Sequence, residues 1–157
     1  MALHEQSVGA TDEWYTPAHV FEAMGVQFDS DPAPAPLALT PASSWTVQRR
    51  VWQGFVWLNP PFGGRNGIVP WLERFFAHGN GVALVPDRTS APWWQAFAPR
   101  ADLVLFVSPK LKFIGADGQP GASPAQGTCL LAVGERGCEA LRNAARARLG
   151  SLFEPCI

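Results

Sequence analysis

The chain reads as an α/β protein, a mostly parallel twisted sheet with helices on both faces. Two observations predict this. Short apolar runs without polar alternation, Phe55–Leu58, Val82–Val85, Leu103–Val107 and Thr128–Val133, have the pattern of strands buried on both faces. Between most of them lie segments whose apolar residues recur at helical spacing, and strands alternating with amphipathic helices indicate a parallel sheet covered on both sides. The composition agrees: 47% hydrophobic and only 16% charged residues suit a packed core rather than a disordered chain.

Each element has its own signals. Residues 1–12 are polar and unpatterned and read as a flexible arm. Thr16-Pro17 suits a helix start, with Thr16 as N-cap and Pro17 in the first helical position; Val20, Phe21 and Met24 share a face and Gly25 is the stop. Val26–Phe28 reads as a short strand running into Asp29-Ser30-Asp31-Pro32, followed by an irregular Pro/Ala/Ser-rich loop over 32–44. A helix beginning near Pro70 turns Leu72, Phe75 and Phe76 to the core, and Trp93, Trp94 and Phe97 suit a shorter one. A long Gly/Pro/Ser loop spans 115–128. The last helix, about 135–149, buries Cys138, Leu141, Ala145 and Leu149 and turns Arg142, Arg146 and Arg148 to solvent. With 157 residues, no internal repeat and no shift in composition, a single domain over 1–157 is expected.

Several classes of function are disfavoured. A net charge of −1 means that nucleic-acid binding requires a local basic patch rather than a global field. Three cysteines without a CxxC pair do not suit a disulfide framework or a zinc ribbon. His4, His19 and His78 lack ligand spacing, so no metal site is expected, and no Ser or Cys stands in a triad pattern. No apolar run reaches the ~18–20 residues of a membrane span, and His4-Glu5 does not suit a signal peptide, so a cytoplasmic protein is expected.

In open α/β sheets ligands sit beyond the carboxyl ends of the strands. That rule places Asp29–Pro32, Asn59–Phe62 and Pro86–Arg88 along one rim. The Asn59-Pro60-Pro61-Phe62 turn is the most informative of these. Two successive prolines remove two N–H donors and stiffen their predecessors, leaving a rigid arch that presents the Asn59 side-chain oxygen and the Pro60 carbonyl as acceptors. A planar group with two N–H donors, such as an exocyclic amine, is their natural partner, and Phe62 supplies a flat face on which an extruded base can stack. A Pro-Pro pair that simply stops a strand is the plainer reading, and the buried strand before it favours the functional one.

Taken together, these segments resemble the small phage and prophage DNA N6-adenine methyltransferases, S-adenosylmethionine-dependent enzymes. The matching pieces, in order over roughly residues 12–134, are Asp12–Pro17, Phe28–Ala33, Gly54–Gly63, Ala83–Pro86 with Arg88-Thr89 and Trp93-Trp94, and Leu111-Lys112-Phe113. The resemblance implies a Rossmann-like methyltransferase domain that transfers a methyl group to the N6 amine of adenine in DNA. It implies that Asn59, Pro60, Pro61 and Phe62 hold the target base. Trp14, Tyr15, Thr16, Pro17, Asp29, Asp31 and Pro32 would contact S-adenosylmethionine, and Arg65, Arg88, Trp93, Lys110, Lys112 and Phe113 would contact DNA. The sequence departs from the family in carrying Pro109-Lys110 where Gly-Arg is usual, and Pro32-Ala33-Pro34-Ala35-Pro36 where larger methyltransferases have a glycine-rich loop. Other amines, on cytosine N4, an RNA base or a glutamine amide, present the same edge to the turn. A catalytically silent nucleic-acid-binding module on the same fold is the alternative of a different class.

Overall fold

The computed structural model describes residues 14–33, 52–61 and 67–156. Within them the order is β1 (Trp14–Tyr15), α1 (Ala18–Met24), β2 (Val56–Leu58), α2 (Val69–His78), β3 (Gly81–Pro86), α3 (Pro92–Phe97), β4 (Leu103–Val107), β5 (Ile114–Gly115), β6 (Thr128–Val133), α4 (Glu135–Arg146) and β7 (Gly150–Phe153), with a 3-10 turn at Ala98–Arg100. Most of the expected 32–44 loop lies outside the described residues.

The main sheet has five strands in the order β2-β3-β6-β4-β7. It is mixed, which corrects the expectation of a mostly parallel sheet: β2 and β3 are parallel, whereas β3–β6, β6–β4 and β4–β7 are antiparallel. The cause lies in the connections. The three that carry a helix, β2–α2–β3, β3–α3–β4 and β6–α4–β7, each join strands of like direction, as crossovers do. The β4–β6 connection through residues 108–127 carries no helix, so β6 returns alongside β4 in the opposite direction. Because β6 inserts between β3 and β4, one reversal produces two antiparallel neighbours, and β7, which follows β6 in direction, adds a third.

Period-two alternation divides the core between the two faces. Trp57, Val82, Leu84, Leu105 and Leu130 pack with Val20 and Met24 of α1 and Leu141 of α4. Val56, Leu58, Val85 and Leu131 pack with Trp71, Leu72 and Phe75 of α2 and Phe97 of α3. Helices therefore cover both faces, as the sequence predicts. Among the described residues no helix is long and apolar enough to cross a membrane.

Three boundaries differ from the sequence reading. Helix α1 begins at Ala18 with Pro17 as its N-cap and no side-chain capping bond, so Thr16 is not the cap; Gly25 does close the helix in the left-handed conformation. Val26–Phe28 does not form a strand. The chain pairs instead at Ser30, in a parallel bridge to Val56 beside the outer edge of β2. Aromatic packing explains how this short segment is held: Phe28 stacks on Phe55 at 4.5 Å, and Phe21 meets Trp57 edge-on at 4.8 Å. Finally, α4 ends at Arg146 rather than 149. Ala147 caps it, Arg148 takes a left-handed φ of 63°, and Leu149 is buried as the chain enters β7.

Three strands, β7 and the pair β1 and β5, have no counterpart in the sequence reading. Strand β7 pairs with β4, and a Cβ on Gly150 would overlap the Phe106 carbonyl, so the close approach there requires glycine. The β1–β5 ribbon pairs Trp14 with Gly115 and Tyr15 with Ile114. It fastens the segment before α1 to the turn after β4.

Candidate functional site

The like-directed strands β2, β3 and β4 end on one rim, and this rim collects most of the residues singled out in the sequence. Asn59 follows β2 directly, half-buried, with Pro60 buried behind it. Its Nδ2 donates to the Thr16 hydroxyl at 3.2 Å, a contact between residues 43 apart in sequence. The strand end fixes Asn59; the β1–β5 ribbon and the start of α1 deliver Thr16. This bond uses one of the two Nδ2 hydrogens and fixes the rotation of the amide, whose Oδ1 is an acceptor.

Trp14 and Tyr15 lie in the ribbon that precedes Thr16, Trp14 half-buried with its ring packed so closely over Gly121 that a Cβ there would come within 2.8 Å of it. Pro17 is buried at the head of α1. The two carboxylates separate. The Trp57 N–H donates to the Ser30 carbonyl, and the chain continues past Ser30 alongside β2, so Asp31 and Pro32 lie toward the rim. Asp31 accepts from the Ala33 N–H at 3.1 Å, which shapes the turn. Asp29 lies at the opposite, amino end of β2. Its Oδ2 accepts from the Phe55 N–H at 2.7 Å and meets Arg136 at 3.3 Å, so its work is to hold this segment against β2 and α4.

Of the residues expected to contact DNA, Arg88 and Lys110 both reach onto the loop before β6. Arg88 Nε donates to Gln126 Oε1 at 3.0 Å and Lys110 Nζ to the Ala125 carbonyl at 2.9 Å. Together they draw that loop over the ends of β3 and β4. Lys112 is exposed and faces a cleft beside α1. Trp93 and Phe113 are half-buried and pack against the two core clusters, so the side chains of both serve the fold. Pro61 is half-buried; Phe62 and Arg65 lie outside the described residues.

This cleft, of about 920 Å³, opens on the same rim, between α1, the Ser108–Lys112 turn and the Ala147–Leu149 turn. Pro17, adjacent to Thr16, forms part of its wall, and His19, Glu22, Lys110, Lys112 and Arg148 supply its charged and titratable groups. The sequence assigns no site role to His19 or Glu22, and it reads Arg148 as part of a solvated helix face. They come from α1 and from the far end of α4, brought together only by the packing of α1 on α4. No sequence spacing encodes that meeting.

Among the described residues no three His, Cys, Asp or Glu side chains gather where they could hold a metal ion. At the rim the Asn59 amide bonds the Thr16 hydroxyl, the Pro60-Pro61 pair follows with no N–H donor of its own, and Asp31 lies on the segment alongside β2, so groups able to accept outnumber donors. Such a set recognises ammonium, hydroxyl and amine donors. Comparison with known proteins gives no further guide, because no family model, no curated protein and no solved structure matches the chain.

Proposed function

We propose that the protein transfers a methyl group from S-adenosylmethionine to the exocyclic N6 amine of adenine in DNA. The observation that carries this reading is the Asn59–Thr16 hydrogen bond at the end of β2. It joins two segments that the sequence singles out separately, the Trp14–Pro17 stretch and the Asn-Pro-Pro turn, and it fixes the rotation of the Asn59 amide. A Rossmann-like methyltransferase domain is part of the proposal; three like-directed strands that share one carboxyl-end rim support it.

The residues at the rim suit the cofactor. In this reading the Asp31 carboxylate accepts from ammonium or hydroxyl groups of the cofactor, and Trp14, Tyr15, Thr16, Pro17 and Pro32 are its further contacts. When bound, the cofactor supplies an electrophilic methyl on a sulfonium sulfur. The protein's part is positional. An adenine amine is a poor nucleophile because its lone pair is delocalised into the ring. Asn59 Oδ1 and the Pro60 carbonyl accept its two N–H bonds, which favours a pyramidal nitrogen and returns the lone pair to it. The prolines hold these acceptors without conformational freedom, and Thr16 fixes the rotation of the Asn59 amide. The nitrogen's lone pair forms the new N–CH3 bond as the sulfonium S–CH3 bond breaks to leave a neutral thioether, and the cationic nitrogen then gives up one of its N–H protons to solvent. Preorganised acceptors aimed at that developing cation, together with orientation, account for the acceleration without a strong base.

The test is transfer of labelled methyl from S-adenosylmethionine to unmodified DNA, wild type beside Asn59→Ala, followed by nucleoside analysis. The expected result is N6-methyladenine from the wild type and a loss of at least about a hundredfold in the variant, the range seen when a key transition-state partner is removed. Unlabelled DNA with calorimetric binding of the cofactor would move the substrate to another amine. Absence of cofactor binding would sink the enzymatic reading and favour the silent module.

A further inference from the structure

We propose that the cleft between α1 and the Ser108–Lys112 and Ala147–Leu149 turns holds the phosphate backbone of a polynucleotide, with Arg148 and Lys112 as its principal contacts. The proposal rests on the functional reading above for the identity of the polymer. Its own support is geometric. Among the described residues, Lys110, Lys112 and Arg148 outnumber the single carboxylate, Glu22, on the wall of a cleft of about 920 Å³, in a chain whose net charge is −1. The positive potential is therefore local, as a binding patch on an otherwise near-neutral protein must be. Lys110 donates to the Ala125 carbonyl, and Lys112 and Arg148, both exposed, are the other two cations on the wall. Pro17 lines the cleft and Thr16 bonds Asn59, so a strand whose base lies at Asn59 passes its backbone over this wall.

Arg148 has a second peculiarity. Among the described residues it is the only non-glycine with positive φ, 63°, just past the end of α4. That position ordinarily takes glycine, because a side chain in the left-handed region costs roughly 1–2 kcal/mol. Arginine placed there at a conformational cost, on the wall of a basic cleft, is explained by what its guanidinium binds: planar, bidentate donors matched to a phosphate.

This conformation makes a clean test available. Glycine at 148 removes the charge while relieving the backbone, so Arg148→Gly is expected to melt no lower than the wild type. Binding of a fluorescein-labelled duplex oligonucleotide is measured by anisotropy from 50 to 300 mM salt for wild type, Arg148→Gly and Lys112→Gln. The expected result is a five- to tenfold loss of affinity in each variant at the lower salt. The slope of log K against log salt should also be shallower by about 0.9, as follows when one phosphate fewer is neutralised. Unchanged affinity and slope in Arg148→Gly overturn the proposal, as does a wild type that does not bind. Methyl transfer is assayed on the same preparations. Oligonucleotide binding that depends on Arg148 without any transfer upholds the cleft and removes DNA adenine as the methylated substrate. Transfer to DNA with an indifferent Arg148 does the reverse.

Discussion

Asn59 depends on a partner that no local sequence rule supplies. An asparagine amide at a strand end has two exchangeable faces, and only a fixed donor or acceptor nearby decides which one a ligand meets. Thr16 does this by accepting from Nδ2 at 3.2 Å. Thr16 reads from sequence as a helix cap, yet α1 starts one residue later and its N-terminus carries no side-chain cap. The hydroxyl is therefore in use for orientation, which makes Thr16 a positioning residue in the proposed reaction. Thr16→Val keeps the shape and removes the acceptor. The expected outcome is a fall of about tenfold in kcat, equivalent to ~1.4 kcal/mol, with KM for DNA little changed, and recovery in Thr16→Ser. Steady-state kinetics on the three proteins check it; a loss confined to KM, or no rescue by serine, would assign Thr16 to binding or to folding.

At the scale of elements, the strands that the sequence announces are those that bury both faces, and β6 is the clearest case. It lies between β3 and β4, with Cys129 to Ala132 fully buried. One consequence is electrostatic: burial pushes the Cys129 thiol from its ordinary 9.0 up to about 12. Between those values the unfolded chain releases a proton that the folded chain retains. Stability therefore falls as pH rises above about 9. Urea unfolding at pH 8 and at pH 10.5 should show that decline, and Cys129→Ala, though less stable at pH 8, should lose less between the two. Equal declines would mean that other groups dominate. The continuous apolar runs made β3, β4 and β6 legible, and helix spacing did the same for α2, α3 and α4. Direction was not legible, because an apolar run looks the same in either orientation; only the helix-free connection after β4 decides it. The two-residue strands β1 and β5 are too short to show a period. Strand β7 has four residues, with Gly150 and Leu152 half-buried and Ser151 and Phe153 exposed, a pattern too brief to stand out after a helix. At the candidate site, the Asn-Pro-Pro turn was legible because its chemistry is local. Arg148 was not, since an arginine on a predicted helix reads as a solvated face until the helix is seen to end before it.

At the scale of the whole molecule, the site joins parts of unequal stability. Strands β3 and β6 are buried along almost their whole length and pair on both sides, whereas the β1–β5 ribbon is two residues long and partly exposed. Local opening follows buried contact and hydrogen bonding, so amide exchange should be slowest in β3, β4 and β6 and fastest in the ribbon. Asn59 follows β2, which is fully buried and paired to β3, whereas Thr16 hangs from the loose ribbon. A ligand that occupies the rim must hold the two together, and the energy with which it does so appears as protection in the weaker partner. Adding S-adenosylmethionine should therefore slow exchange in residues 14–25 and 111–121, with little change along β7, whose edge lies beyond β4. Hydrogen exchange with peptide resolution, with and without the cofactor, measures this directly. Protection in the ribbon and α1 would mean that the cofactor closes the loose half of the rim onto Asn59. Protection elsewhere, or none, would remove the rim as the cofactor's site.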